Sequence, residues 1–239
     1  MNLLSDDRLC PDRSVIDLNR RTKIIHRLDE LLWRSDWSEA RVPRDVASEV
    51  ELYVHPEGMP WFANTIENIL RLLVAFDALN RGAVLLHSAA LVRDGRAAVL
   101  FGHSGAGKST TSGIGLEAGC SIVSDDINLL EASNRGWQVR PVPFSGTLNA
   151  LSDISTPVRV HGLFHLHKSD RHEARPCSTA RAVALLAASA PFVNQDPFST
   201  DHLMEIAGDL VRQFGVSELR FARDPGFLNL AFASPEMQP

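Results

Sequence analysis

Cysteine is scarce. Cys10, Cys120 and Cys177 are the only three in 239 residues, an odd number with no C-x-x-C pair, which argues against a disulfide scaffold or a zinc knuckle and for a reducing compartment. Aromatic residues make up 7%, with a single tyrosine. No apolar run reaches membrane-spanning length; the best, over 69–79, is broken by Arg71 and Asp77. The first fourteen residues carry Asp6, Asp7 and Asp12 and lack the apolar core of a signal peptide, so the expected location is cytoplasmic. Positive charge is not in excess either. Lysine and arginine number 24 against 29 acidic residues, a net charge of −5 that repels nucleic acid and anionic membranes, so neither is expected as a partner.

What remains is a globular composition, 44% hydrophobic and 22% charged, with length for one domain and an elaboration. A short apolar run (Val15, Ile16, Leu18), a helix over 22–33 and a strand over 50–54 are expected first. Ile66, Ile69, Leu70, Leu73 and Phe76 recur at helical spacing and predict a helix over 63–80. Two β-rich runs, 83–92 and 97–101, flank Arg93-Asp94-Gly95, which reads as a tight hairpin turn. A helix over 108–118, strands over 121–124, 137–141 and 158–166, helices over 178–189 and 200–214, a strand over 218–221 and a short helix near 225–231 complete the reading. The residues past Ala233 read as a frayed tail.

Residues 102–109 spell GHSGAGKS, the full G-x-x-x-x-G-K-[ST] phosphate-binding, or Walker A, pattern. Glycines let successive N–H groups turn inward toward phosphate oxygens. Gly102, His103, Ser104, Gly105, Ala106, Gly107, Lys108, Ser109 and Thr110 are therefore expected to bind nucleotide. Lys108 supplies a cation to the β and γ phosphates and Ser109 a hydroxyl to Mg²⁺. No N-K-x-D or L-S-G-G-Q motif accompanies the loop. The leaning is to ATP.

Asp125 and Asp126 end an apolar strand 17 and 18 residues beyond Lys108. At that place one carboxylate can serve Mg²⁺ and the other can take the proton of an attacking hydroxyl. An isolated Asp-Asp is usually a solvated turn; the phosphate loop shifts the balance toward use. His87 lies in the preceding strand, and a lone strand histidine is ordinarily a packing or surface group.

The string LLHSAALVRDGRAAVLFGHSGAGKSTTSG, followed by GCSIVSDDINLL, resembles the catalytic domain of HPr kinase/phosphorylase and its divergent relatives, among them the kinases that phosphorylate the tail of lasso peptides. The resemblance covers about two thirds of the chain. It implies an α/β fold with a P-loop NTPase-type core of HPr kinase-like (PEP carboxykinase-like) architecture over residues 61–239; the N-terminal unit of the longer enzymes does not appear, and residues 1–60 are expected to form an α+β elaboration. It implies that Asp126 is the base, that His87 and Lys108 belong to the catalytic cluster, that Ser109 and Asp125 serve the metal, and that ATP and Mg²⁺ are the cofactors. The expected acceptor is a serine hydroxyl of a peptide or small protein, with residues 1–60 available for its recognition and a homo-oligomer left open. HPr-directed members carry an E-x-R-G-x-G segment after the acidic pair. Here no glutamate occurs between Glu131 and Glu173, which argues against HPr as acceptor and against reversal by phosphorolysis. A small-molecule kinase and a non-catalytic ATP-binding regulator are the alternatives.

Three further features stay open. Pro143, Phe144, Ser145 and Gly146 read equally as a rim loop near the triphosphate or the acceptor and as a plain surface turn. Arg140, Arg159, Arg171 and Arg175 are all candidates for the arginine that assists transfer. His161, His165 and His167 are expected to share one strand face, and no cysteine or carboxylate completes a metal set with them or His172.

Overall fold

The computed structural model describes residues 15–17, 22–45, 48–144, 146 and 154–233. Cys10, Leu18, Ser145 and the tail past Ala233 lie outside them. Two units emerge, one of residues up to Leu73 with Gln195–Phe198, the other of Val74–Asn194 with the chain from Ser199 onward.

The first unit is an antiparallel meander of β1 (Val15–Asp17), β2 (Thr22–His26), β3 (Glu30–Ser35), β4 (Ser38–Pro43) and β5 (Glu51–Val54), paired in chain order. The helix expected over 22–33 is therefore wrong: β2, a turn and β3 occupy it. Ile24, Ile25, Leu28, Leu31 and Leu32 have helical spacing, yet Ile24 pairs with Trp33 and Ile25 with Leu32 across the ladder. Burial of Ile24, Leu31, Leu32 and Trp33 outweighs local periodicity. Leu28, on the turn, is 71% exposed. A 3₁₀ turn (Pro56–Trp61) leads into α1 (Phe62–Asn80), as the spacing predicts.

Within this unit a buried ionic cluster joins distant parts of the chain. His26 Nδ1 lies 2.9 Å from Asp196 Oδ1, and Arg44 forks onto both Asp196 oxygens at 2.8 and 2.7 Å. His26 and Asp196 are wholly buried. The Arg44 guanidinium also covers the Phe198 ring.

The second unit is mixed α/β. Its strands are β6 (Val84–Arg93), β7 (Arg96–Phe101), β8 (Ser121–Ile122), β9 (Ile127–Ser133), β10 (Gly136–Arg140), β11 (Val158–Lys168), β12 (Glu173–Pro176) and β13 (Ser217–Phe221). They form one sheet in the order β10-β9-β6-β7-β11-β13-β12, with β8 on β6 and a second pairing of β10 to β11. Pairings of β7 with β11 and of β11 with β13 are parallel; the rest are antiparallel. The β6–β7 hairpin turns at Asp94 and Gly95, both at positive φ (52° and 68°), the geometry a two-residue hairpin needs. β7 is buried from Ala97 to Phe101, as a central strand covered on both faces should be.

The helices are α2 (Lys108–Glu117), α3 (Thr179–Ala188), α4 (Thr200–Phe214) and α5 (Phe227–Ala231). One core gathers Leu91, Leu100, Phe164, Leu219 and Phe221 from the sheet with Phe227 and Leu228 of α5. On α4, Leu203, Ile206, Ala207, Leu210 and Val211 are buried, the i, i+3, i+4 stripe that makes an amphipathic helix. α4 packs on α3 and touches β11. No helix among the described residues is long and apolar enough to cross a membrane.

Candidate functional site

β7 ends at Phe101 and α2 starts at Lys108, so the glycine-rich loop joins a strand to a helix. Gly105 and Gly107 adopt positive φ (80° and 111°), which side chains resist. Among the described residues no side chain caps α2, so its first-turn N–H groups are placed to receive an anion. Lys108 is 7% exposed and donates to the carbonyls of Gly102 (3.0 Å) and His103 (3.4 Å). Burial lowers its pKa, and the carboxylate of Asp126 works against that shift.

Gly107 also faces Phe221, since a Cβ there would lie 2.5 Å from the ring. Gly107→Ala is expected to destabilise the fold by about 1–3 kcal/mol, through left-handed strain and this collision. Chemical denaturation measures it, and an unchanged midpoint would refute the tight fit.

The acidic pair owes its place to a change of partner along one edge of β6. β8 pairs there at Leu91–Val92 and β9 at Val84–His87. Between them the chain detours through residues 123–126, tied by Val123 N to Ala90 O, Ala90 N to Ser124 O and Ser88 N to Asp126 O. The Ser124 hydroxyl accepts from the N–H groups of Asp126 and Ile127, a turn that serine favours. Asn128, buried, donates to Ser88 O (2.7 Å), Ser88 Oγ and Ser124 O. This clasp fixes the acidic turn against the strand that carries His87.

His87 Nε2 stands 3.5 Å from Asp126 Oδ1, both side chains partly exposed. Asp125 is 7% exposed, its Oδ2 has no hydrogen-bond partner among the described residues, and a Cβ on Gly146 would collide with its carboxylate. A buried carboxylate oxygen without a partner is costly, and a cation satisfies it. Gly146 thus lies against the acidic pair.

Lys108 and Asp126 interact electrostatically and Asp126 approaches His87. The candidate arginines separate. Arg140 and Arg175 are paired with Glu131 and Glu173, each at 2.6 Å. Arg159 lies at the start of β11, remote from the loop, because Phe101 is in register with His165. Arg171 follows the end of β11, on the edge where β7 runs into the loop. Arg223, just past β13 on the same edge, escaped the sequence reading.

The histidines also divide. The register shifts between Val160 and Gly162, so His161 sits in a bulge and bonds to Ala233 O (3.1 Å). The expected common face with His165 and His167 is lost there. His165 Nδ1 and His167 Nε2 meet at 3.0 Å, and a Cβ on Gly102 would lie 3.8 Å from His165 Nε2. Burial first, then the neighbouring His167, holds the His165 pKa below its usual value. Its place beside the loop was not legible from spacing.

The family model described as SynChlorMet cassette protein ScmC matches residues 62–211, more than half of the chain. No curated protein matches it.

Proposed function

We propose that this chain, which belongs to the SynChlorMet cassette protein ScmC family, is an ATP- and Mg²⁺-dependent kinase that phosphorylates a serine hydroxyl of a peptide or small protein. On this reading the second unit is a P-loop core of HPr kinase-like architecture. The observation that carries it is a glycine-rich loop whose Lys108 feels the field of Asp126, the carboxylate that stands 3.5 Å from His87.

The loop residues Gly102 to Thr110 hold the triphosphate through backbone N–H groups, and Lys108 exchanges its two loop carbonyls for phosphate oxygens. Mg²⁺ fits the orphaned oxygen of Asp125, with the Ser109 hydroxyl as second protein ligand. Among the described residues no group of three His, Cys, Asp or Glu forms a metal cage, and Mg²⁺ usually takes few protein ligands. When bound, the ion supplies charge neutralisation to the transferring phosphoryl group. Asp126 takes the proton of the serine hydroxyl as its oxygen bonds to the γ-phosphorus and the bond to the β-phosphate oxygen breaks. His87 orients the Asp126 carboxylate. In the first unit, exposed Tyr53, Met59 and Trp61 support a role in acceptor recognition.

The test is incubation with γ-labelled ATP and Mg²⁺ against the peptides encoded beside the gene, with free serine and water as parallel acceptors. Label on a peptide establishes the peptide kinase. Label on serine alone makes it a small-molecule kinase, and tight ATP binding without transfer makes it a nucleotide-binding regulator. Gly146→Ala is expected to weaken Mg²⁺ binding, raising the half-saturating Mg²⁺ concentration roughly tenfold, because the new methyl group displaces the Asp125 carboxylate. An unchanged Mg²⁺ titration would remove Asp125 from the metal site.

A further inference from the structure

The edge of β11 opposite β7 has two partners that do not meet. β10 pairs with it at Val158–Arg159 and β13 begins only at Phe164. Among the described residues, 160–163 therefore have no ladder partner on that side, and the split opens into a cavity of about 340 Å³ lined by Arg96, Arg159, His161, Gln213 and Ser217 among others. A second cavity of about 510 Å³ shares Arg159 and adds Arg135, Gln138 and Trp137. Gln213 Nε2 reaches to within 3.2 Å of where a Cβ on Gly136 would stand, so its amide lies between the two.

The charge pattern here is one-sided. Arg93 is in register with Arg96, Arg96 with Arg159, and Arg159 with Gln138, so three guanidiniums line one cross-strand row. Like charges placed directly opposite destabilise a sheet. Arg93 is engaged over the Phe232 ring. Among the described residues no carboxylate pairs with Arg96, Arg135 or Arg159, and no acid lines either cavity. The nearest acids are otherwise placed: Asp94 is on the exposed hairpin turn, and Glu131 is held by Arg140 and Gln138.

We propose that this split is a second anion site, one that takes a small phosphate-bearing molecule. Arg96 and Arg159 sit on neighbouring strands about 4.8 Å apart, offering two forked donors to one group. A phosphate monoester carries nearly two negative charges, which matches the pair; a monocarboxylate matches one guanidinium only. Gln213 and Ser217 supply neutral hydrogen bonds. The site lies at the start of β7, roughly 17 Å along the strand from the glycine loop, so it does not belong to the kinase centre.

The test uses the full chain and inorganic phosphate at constant ionic strength, followed by calorimetry. Lys108→Ala removes the competing demand of the glycine loop, and this variant is expected to retain one phosphate site. Adding Arg96→Gln and Arg159→Gln is expected to weaken that site at least about tenfold, with Arg159→Lys falling between. Acetate at the same concentration is expected not to compete. In the otherwise wild-type chain the two glutamines are expected to leave ATP affinity unchanged, which separates this site from the kinase reading. Phosphate binding that is absent in Lys108→Ala, or indifferent to both arginines, overturns the proposal.

Discussion

Asp126→Asn is expected to lower kcat about 10²–10⁴-fold while ATP affinity stays within about threefold of wild type. The substitution keeps size and shape. The Ser124 hydroxyl bonds to the backbone N–H of residue 126, not to its side chain, so the turn survives. What disappears is the proton acceptor and the negative partner of His87 at 3.5 Å. Lys108→Ala is expected to behave differently, losing ATP affinity as well, because in the proposed reaction its ammonium serves bound phosphate before and during transfer. Single-turnover transfer from labelled ATP, with binding measured separately, distinguishes the two. If Asp126→Asn transfers at the wild-type rate, Asp126 is not the base; if it also abolishes ATP binding, its role is in holding the nucleotide.

Asp196→Ala carries the largest expected effect on stability, a loss of about 3–5 kcal/mol. Its carboxylate is wholly buried and receives the Arg44 fork and the His26 imidazole. Removing it takes from Arg44 the fork it makes onto both carboxylate oxygens and from His26 Nδ1 its partner, while among the described residues His26 Nε2 already has none. At about 2–4 °C per kcal/mol for a chain of this size, the melting temperature should fall roughly 10 °C. Asp196→Asn, which still accepts hydrogen bonds, is expected to lose less. Calorimetric scanning of both variants measures this, and a drop under a few degrees would show that the cluster contributes little.

The parts of the molecule legible in the sequence were those whose determinants are local. The β6–β7 hairpin carries its turn residues in Asp94-Gly95, and the glycine loop carries its own spacing. The helices α1 and α4 carry apolar stripes that need no distant partner to be recognised. Where pairing decided the outcome, local spacing misled. The apolar residues of β2 and β3 fit a helical period as well as a hairpin, and Arg27, Leu28 and Asp29 offer no glycine or proline to mark the turn. In the candidate site, the residue types were legible but their arrangement was not. A one-residue bulge at His161 cannot be seen in sequence. Nor can the meeting of Gly146 with Asp125, which joins a loop to a strand end. The Asp196 partnership spans 170 residues from His26, beyond any pattern of spacing.

That same span bears on how the chain is made. Synthesis proceeds from the N-terminus at about 5–20 residues per second, and N-terminal units usually fold as they emerge. The meander of β1 to β5 is complete by Val54, yet its buried carboxylate arrives some 120 residues after Leu73. Until then Arg44 and His26 lack the Asp196 carboxylate that joins them in the folded unit. The first unit therefore reaches its final stability only after most of the second has left the ribosome, and the interval between them is a window in which the nascent meander is open to chaperones and proteases.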